Sequence, residues 1–119
     1  MSPALERACH ALGDPTRRAI LDLLRGGERP AGELAARFPI SRPAVSKHLR
    51  VLREAGLVSE RREGRHRLYA LDPRPLAELD QWLQTYRTFW AARLLDLKRV
   101  VEDQHARETA ADAAAGDDQ

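Results

Sequence analysis

The sequence predicts a mainly helical fold with a small two-stranded β-hairpin and a long C-terminal helix. Three observations support this fold class. Apolar residues recur at helical spacing in four short segments that precede Gly56. The spacing then becomes that of two short strands, at residues 57–62 and 65–71. From Leu76 onward, apolar residues follow one another in unbroken steps of three and four, as on one face of a helix.

The first two helices have clear boundary signals. Residues 3–12 form the first predicted helix, and Gly13 ends it. Asp14 is the expected N-cap of the second helix, because a proline at the first helical position, Pro15, follows it. The apolar face of this helix is expected to consist of Ala19, Ile20, Leu23 and Leu24.

A short third helix and a longer fourth helix are predicted next. The third extends from about Pro30 to Phe38. The fourth follows Ser41, its expected N-cap, and is expected to end at Gly56, since glycine commonly closes helices. The expected buried stripe of the fourth helix consists of Val45, Leu49 and Leu52.

The order of these elements predicts a winged helix-turn-helix. Two helices joined by a tight turn and followed by a basic hairpin are typical of that fold. The hairpin would be the wing, and the fourth helix would be the recognition helix. The wing's turn is predicted at Glu63-Gly64, a weaker hairpin signal than Asn-Gly, which leaves the turn type open.

Length and composition indicate a single folded domain. The chain has 119 residues, of which 43% are hydrophobic and 32% charged. We assign residues 1–107 to the winged helix domain and residues 108–119, rich in alanine and aspartate, to a disordered acidic tail. No apolar run has membrane-spanning length and the start lacks a signal-peptide layout, so we expect a cytoplasmic location and no membrane partner. The single cysteine, Cys9, cannot form an intrachain disulfide.

Positive charge is concentrated in the middle of the chain. Residues 15–74 carry 14 Lys and Arg against 7 Asp and Glu, whereas the rest of the chain carries 6 against 11. The net charge of the whole chain is only +2. A basic middle favours a polyanion such as double-stranded DNA as the partner. A general abundance of arginine would give the same balance, so charge alone does not decide the function.

Four segments of the sequence carry a family resemblance when they are taken in order. They are ALGDPTRRAILDLL, ELAARF, SRPAVSKHLRVLREAGLV and ERREGRHRLYAL. Together they resemble the ArsR-type family of bacterial winged helix repressors, over roughly Leu5 to Leu71. The resemblance implies a homodimeric transcriptional regulator that binds operator DNA. It also implies release of the DNA by an effector, here a small molecule of unknown identity.

The resemblance further implies that residues of the fourth helix reach the major groove, namely Ser41, Arg42, Ser46 and Lys47. Arg42 and Pro43 depart from the family's usual polar amide and small polar residue, so we expect a different base preference. The helical spacing agrees, because it sorts the cations to the face opposite the buried stripe. Arg42 and Lys47 are candidates for base edges, and Arg50 for the DNA backbone. His48 either contacts a phosphate or packs beside a neighbouring helix.

The predicted hairpin carries several cations around its turn. Arg62 and Arg65 are the best candidates for contacts with phosphates or the minor groove. The alternative is a solvated hairpin, because charged edges also prevent strands from aggregating. The neighbouring basic helix favours the DNA contact.

The long C-terminal helix has an apolar stripe that so small a domain cannot cover. A second copy of the chain is the expected cover, with help from the first helix. Two alternatives are that the stripe folds back on its own domain or lines a pocket for an apolar effector. The expected dimerisation residues are Leu5, Trp82, Tyr86, Phe89, Trp90 and Leu94.

The sequence offers no set of residues expected for catalysis, a cofactor or a metal, so we expect no enzyme. The thiolate pair of metal-sensing family members is absent from residues 31–38. His105 and Glu108 would supply only two ligands. Cys9 beside His10 is better explained as a small buried residue at an interface. A winged helix that binds only proteins remains the alternative function, because fold does not fix function.

Overall fold

The structure, a computed structural model, describes residues 1–116. In this part of the chain five helices and three strands follow one another: α1 (Pro3–Leu12), α2 (Pro15–Leu24), β1 (Arg29–Pro30), α3 (Ala31–Ala36), α4 (Arg42–Glu54), β2 (Val58–Glu63), β3 (His66–Leu71) and α5 (Arg74–Gly116). Helices α3 and α4 form the helix-turn-helix, and β2 and β3 form the wing. The predicted mainly helical winged helix fold is confirmed.

Helices α2 and α4 both begin with a side-chain oxygen that accepts a backbone N–H. The carboxylate of Asp14 accepts from the N–H of Arg17 at 2.9 Å. The hydroxyl oxygen of Ser41 accepts from the N–H of Ala44 at 3.3 Å. Each cap satisfies one N–H that has no partner within its helix, which stabilises the helix by about 1 kcal/mol. The two predicted N-caps are confirmed.

The end of α4 is fixed by a pair of hydrogen bonds around Gly56. Gly56 donates its N–H to the carbonyl of Arg53 at 2.9 Å, and Leu57 donates to the carbonyl of Leu52 at 3.0 Å. This pair is a Schellman motif, and it needs the left-handed φ of +75° that Gly56 adopts. Leu52 and Leu57 are both buried beside this turn. The predicted stop at Gly56 is confirmed, and the turn sets the direction in which the chain enters β2.

Helices α1 and α2 are tied together by two arginine side chains. The guanidinium of Arg17 donates to the carbonyl of Ala11 at 2.6 Å and to that of His10 at 3.2 Å. Arg18 donates to the carbonyl of Leu12 at 2.8 Å. The last carbonyls of a helix lack partners and carry partial negative charge, so cations bind well there. These two arginines therefore serve the fold.

The core lies where the helices meet the sheet. Its largest fully buried side chains come from α2, α3, α4 and the start of the wing, and include Ile20, Leu34, Leu49 and Leu57. Burying an aliphatic side chain of this size contributes about 1.5–3 kcal/mol relative to leaving it in water. The core thereby holds α4 against α2 and α3, with its polar side outward.

The predicted apolar face of α2 is partly wrong. Ile20 and Leu24 are buried as expected, but the third buried residue is Leu21. Ala19 and Leu23 are only half-buried. The reason is that α2 contacts α1, α4 and β3 together, so its buried sector is centred between Ile20 and Leu21.

The sheet has three strands rather than the predicted two. The short strand β1 pairs antiparallel with β3, where Arg29 lies opposite Tyr69, and the strand order is β1-β3-β2. A strand of two residues is too short to show alternation, so its sequence gives no strand signal. It is formed by tertiary pairing and joins the segment before α3 to the wing.

The wing turns one residue later than predicted. Glu63 pairs with His66, which leaves Gly64 and Arg65 as a two-residue loop. Gly64 has a φ of +60°, and it is followed by a residue with negative φ. Positive φ at the first loop position alone is the pattern of a type II′ turn, which requires glycine there. Arg65 therefore sits at the tip of the wing rather than in a strand.

The chain forms two units that divide after Gln81. In the first unit, Leu76 at the start of α5 packs against the core. In the second unit, α5 continues past residue 108, where the sequence predicts a disordered tail, to Gly116. That tail stays a prediction, and its residues 117–119 lie outside the described chain.

The part of α5 in the second unit exposes large apolar side chains. The rings of Trp82 and Tyr86 are 5.0 Å apart, and the guanidinium of Arg93 lies 4.8 Å from the ring centre of Phe89. Among the predicted dimerisation residues that lie in α5, the exposed fraction of the residue ranges from 40% for Trp82 to 64% for Leu94. Within residues 1–116, no helix combines the length and apolar character needed to cross a bilayer.

Leu5 differs from the other predicted dimerisation residues. It is only 3% exposed in the single chain, so its side chain has almost no area left for a partner. The structure buries this side chain without a second copy, so the predicted dimerisation role of Leu5 is not supported.

Candidate nucleic-acid interface

Helix α4 has a buried face and a polar face, as the sequence predicts. Val45, Leu49 and Leu52 are buried in the core. Ser46, Lys47 and Arg50, like Ser41 and Arg42 at the start of the helix, are exposed. The positive charges of the recognition helix are thus sorted to the side that faces away from the core.

A first groove lies between α3, α4 and the tip of the wing. It is lined by Arg42 and Ser46 of α4 and by Arg65 of the turn, with His66 and Arg67 beside them. Arg42 also lies close to α3, because a Cβ added to Gly32 would be 3.3 Å from its terminal nitrogen. The structure therefore brings together predicted DNA-binding residues that are about twenty positions apart in sequence.

A second groove lies along α4 toward the base of the wing. Its cationic lining comprises Lys47, Arg50, Arg53 and Arg67. Ser46 lines both grooves, which places it at the border between them. Predicted residues of the helix thus line a continuous band that reaches the wing.

Arg67 is the functional candidate that sequence reasoning missed. It lines both grooves, and it is paired directly across the hairpin with Arg62. Paired residues of an antiparallel ladder point to the same face, so Arg62 lies on the same face as Arg67. Arg62 is exposed but lines neither of these two grooves. The correct hairpin register would have identified Arg67, but the sequence placed the turn one residue too early.

Arg61 is directed to the other face of β2, where it is neutralised by an acid. Its guanidinium binds both carboxylate oxygens of Glu28, at 2.8 and 2.6 Å. The hydrogen bonds from Arg61 lower the pKa of the Glu28 carboxyl below its ordinary value. The pair is a fixed ion pair on the far side of the wing, so Arg61 adds little to the cationic band.

Glu60 is the one acid that contacts the cationic band from within the wing. Its carboxylate contacts the guanidinium groups of Arg53 in α4 and Arg67 in β3, the latter at 3.6 Å. The hydroxyl of Tyr69 lies 3.4 Å from the same carboxylate. Burial raises the pKa of Tyr69, and the charge of Glu60 raises it further, so the phenol keeps its proton and can donate.

His48 lies between α4 and α2. Its Nδ1 atom is 3.4 Å from a guanidinium nitrogen of Arg17 and 3.8 Å from the carboxylate of Asp14. The backbone N–H of Arg17 lowers the pKa of Asp14, and the charges of His48 and Arg17 lower it further. His48 therefore packs beside the neighbouring helix α2, which is one of its two predicted roles. Its contact with a phosphate stays a prediction.

Among residues 1–116, no three His, Cys, Asp or Glu side chains come together in a way that could hold a metal ion. Cys9 is a free, half-buried thiol in α1.

A recognition helix and a wing that share one cationic band define a winged helix-turn-helix DNA-binding protein. A helix-turn-helix domain family model matches residues 12–61. The chain is 44% identical over 99 residues to the HTH-type transcriptional regulator Rv2034 of Mycobacterium tuberculosis. The match covers 83% of this chain and 90% of that protein. It is 42% identical over 76 residues to the transcriptional repressor SdpR of Bacillus subtilis, over 64% of this chain and 84% of that one.

Solved structures agree with these relatives. An ArsR-like transcriptional regulator from Rhodococcus sp. RHA1 matches with a TM-score of 0.64 and 34% identity, over 82% of this chain and 92% of that one. A homodimeric winged helix-turn-helix DNA-binding domain from Mycobacterium bovis matches with a TM-score of 0.58 and 32% identity, over 71% and 79%. The chain belongs to the ArsR-type family of winged helix-turn-helix transcriptional regulators. The family resemblance seen in the sequence is confirmed.

Proposed function

We propose that this protein represses transcription as a homodimer that binds an inverted-repeat DNA operator. The observation that carries the proposal is the convergence of Arg42 and Ser46 of α4 with Arg65 of the wing on one groove. A protein-binding winged helix has no need for cations from two separate elements to share one surface. The relative SdpR, whose match extends over 84% of its own length, is a transcriptional repressor, which favours repression over activation.

The proposed contacts divide into base reading and phosphate binding. Helix α4 enters the major groove, where Arg42 and Lys47 meet base edges, because arginine and lysine suit the two acceptors of guanine. Ser41 and Ser46 donate their hydroxyl hydrogens to nearby phosphates or bases. The hydroxyl of Ser41 keeps this donor, since it uses only its oxygen to cap α4.

Phosphate contacts are proposed for the cations farther from the start of α4. Arg50 lies further along the helix and binds the DNA backbone. Arg62, Arg65 and Arg67 of the wing bind phosphates beside the major groove. These contacts set affinity and orientation, whereas Arg42 sets the preferred base.

The proposed dimer is formed by the exposed aromatic stripe of α5. Trp82, Tyr86, Phe89 and Trp90 are all at least 40% exposed, and so much contiguous apolar area is typical of an interface. The relative from Mycobacterium bovis is a homodimer. Leu94 extends the stripe, and Leu5 has no part in it. Two-fold symmetry then presents two copies of α4 about 34 Å apart, one DNA turn, which requires an inverted repeat.

Two finer expectations belong to this proposal. A cytoplasmic location is expected, since that is where bacterial operator DNA is found. Release of the DNA by an effector is expected from the family resemblance alone, and no residue is assigned to it.

The experiment that tests the proposal is selection of bound duplexes from a random pool with the purified protein. We expect recovery of one motif with two-fold symmetry and half-sites one turn apart. Binding of the selected duplex should then weaken steeply as salt concentration rises, because bound phosphates release counterions. Recovery of no motif, together with salt-independent or absent duplex binding, would favour the protein-binding alternative.

A further inference from the structure

The carboxylate of Glu60 lies between the recognition helix and the wing. It contacts the guanidinium of Arg53 in α4 and that of Arg67 in β3, and the hydroxyl of Tyr69 lies 3.4 Å from it. The Glu60 side chain is only 15% exposed, so it sits beneath the two arginines rather than out in solvent. One negative charge is therefore shared by two cations of the band proposed to face DNA.

We propose that Glu60 is a specificity-determining residue that restrains Arg53 and Arg67 and so limits binding to DNA of arbitrary sequence. The inference rests on the proposed function, because it concerns how that DNA surface is charged. Glu60 is a positioning residue, since it acts through the arginines and does not itself meet the DNA.

The charge of this cluster decides how strongly any phosphate is attracted. Affinity for non-specific DNA comes almost wholly from cations that neutralise phosphates and release counterions. With its carboxylate, the cluster of Glu60, Arg53 and Arg67 carries one net positive charge, and without it the cluster would carry two. Glu60 thus lowers the part of the affinity that every duplex shares.

The same contacts also fix where the two guanidinium groups lie. A restrained side chain forms its phosphate contact only when the duplex has the right position, whereas a free one adapts to many positions. Restraint of Arg67 therefore favours the register in which α4 is correctly seated in the major groove. Glu60 links the two elements because it contacts one arginine from each.

Fold stability is not the main role of these ion pairs. The side chains of Arg53 and Arg67 are 47% and 55% exposed, and ion pairs of such exposure contribute little because solvent screens them. A glutamine at residue 60 can still accept the hydrogen bond from Tyr69. The variant Glu60→Gln is therefore expected to fold with a melting temperature close to that of the unaltered protein.

The chain offers a matched control in Glu28. The variant Glu28→Gln also removes one negative charge beside an arginine of the wing, Arg61, which keeps its contact with Glu63 at 3.1 Å. Arg61 lies on the opposite face of β2 from Glu60, away from the proposed DNA surface. The two variants thus have the same net charge and differ in the place where it changes.

The test measures the dissociation constant of the full chain and both variants over a range of salt concentrations. One duplex carries the selected operator, and the other is a scrambled duplex of equal length. We expect Glu60→Gln to bind the scrambled duplex roughly tenfold more tightly at low salt. The slope of log K against log salt concentration should steepen by about one for that duplex, as for one added phosphate contact. The preference for the operator should fall, and Glu28→Gln should keep the original preference and slope.

A second variant pair separates restraint from a general charge effect. If the release of Arg67 causes the tighter binding of the scrambled duplex, adding Arg67→Gln should make the salt dependence shallower. This reduction in slope should be larger in the Glu60→Gln variant than in the unaltered protein. Equal behaviour of Glu60→Gln and Glu28→Gln would overturn the inference, and so would weaker binding of both duplexes by Glu60→Gln. An unaltered protein that prefers no duplex would contradict the proposed function instead.

Discussion

Arg62 of β2 lies directly opposite Arg67 of β3 on one face of the wing. Like charges that face each other across two strands repel, so this arrangement is unfavourable for the isolated protein. It is favourable beside a polyanion, which neutralises both. The pair therefore supports the proposed contact of the wing with phosphates, although Glu60 already offsets part of the charge of Arg67.

Removal of Arg62 tests this interpretation. We expect Arg62→Ala to weaken binding to all duplexes by a similar factor and to make the salt dependence shallower by about one unit of slope. The free energy of unfolding should stay the same or rise slightly, because the repulsion from Arg67 is relieved. Fluorescence anisotropy titrations over a salt series and urea denaturation measure the two quantities. A loss confined to the operator would show that Arg62 reads sequence.

Removal of Arg42 should have a different effect from removal of Arg62. Arg42 begins α4 and lines the groove next to Ser46, and it is the residue proposed to read a base edge. We expect Arg42→Ala to reduce discrimination at a single base pair of each half-site by about 1–3 kcal/mol. Competition between the operator and single-base variants measures this change. If Arg42→Ala and Arg62→Ala weaken every duplex alike, the assignment of base reading to Arg42 is wrong.

Trp90 should be important for dimer stability. It is 53% exposed on α5, and aromatic residues of this size dominate the binding energy of interfaces. We expect Trp90→Ala to raise the dimer dissociation constant at least tenfold, which sedimentation equilibrium measures. Gln84→Ala, on the opposite side of the same helix, is the control and should leave the dimer intact. An unaltered dimer in Trp90→Ala would place the interface elsewhere.

Gly56 should be sensitive to any side chain. Its φ of +75° is strained for residues with a Cβ, although a Cβ there would meet only Pro75 at an ordinary 3.6 Å. We expect Gly56→Ala to lower the free energy of unfolding by about 1–2 kcal/mol through backbone strain alone. Gly26→Ala is the control, since Gly26 is not among the glycines with positive φ. Equal stability of the two variants in urea denaturation would contradict this explanation.

Asp14 should stabilise the protein in a pH-dependent manner. Its pKa in the folded protein lies below the ordinary value of 3.8, first because the backbone N–H of Arg17 donates to it. The unfolded chain therefore takes up the proton at higher pH than the folded one. The stabilisation is complete well above pH 3.8 and is lost as pH falls through the folded pKa.

The variant Asp14→Asn isolates this contribution. Asparagine can still cap α2, but it has no charge to titrate. We expect the difference in unfolding free energy between the two proteins to shrink steadily as the pH is lowered below about 4. Urea denaturation at a series of pH values measures the difference. A difference that stays constant down to pH 2 would mean that the charge of Asp14 has no role.

Local signals predicted the parts of the fold that depend on neighbouring residues. The cap at Ser41, the buried stripe of Val45, Leu49 and Leu52, and the stop at Gly56 depend on spacing within one helix, and all were predicted correctly. Parts that depend on distant residues were missed. The strand at Arg29 and Pro30 exists only because β3 pairs with it.

The candidate site shows the same division. The family resemblance pointed to Arg42, Ser46 and Lys47 of α4, and helical spacing placed them with Arg50 on the face opposite the core; all four line the grooves. The choice among the wing's arginines depends on register, and a shift of one residue reverses the face of every side chain. Arg67 was missed for that reason. The role of Glu60 depends on contacts with α4 and β3 that no spacing in β2 indicates.

Arg17 connects three helices, because the carbonyl end of α1, its own helix α2 and His48 of α4 all meet at its guanidinium group. Helix α1 also packs directly against α4, so a tilt of α1 would shift α4 both through Arg17 and through that packing. The orientation of α4 thus depends on how α1 is held. A tag or fusion that displaced α1 would therefore disturb the proposed operator binding from a distance.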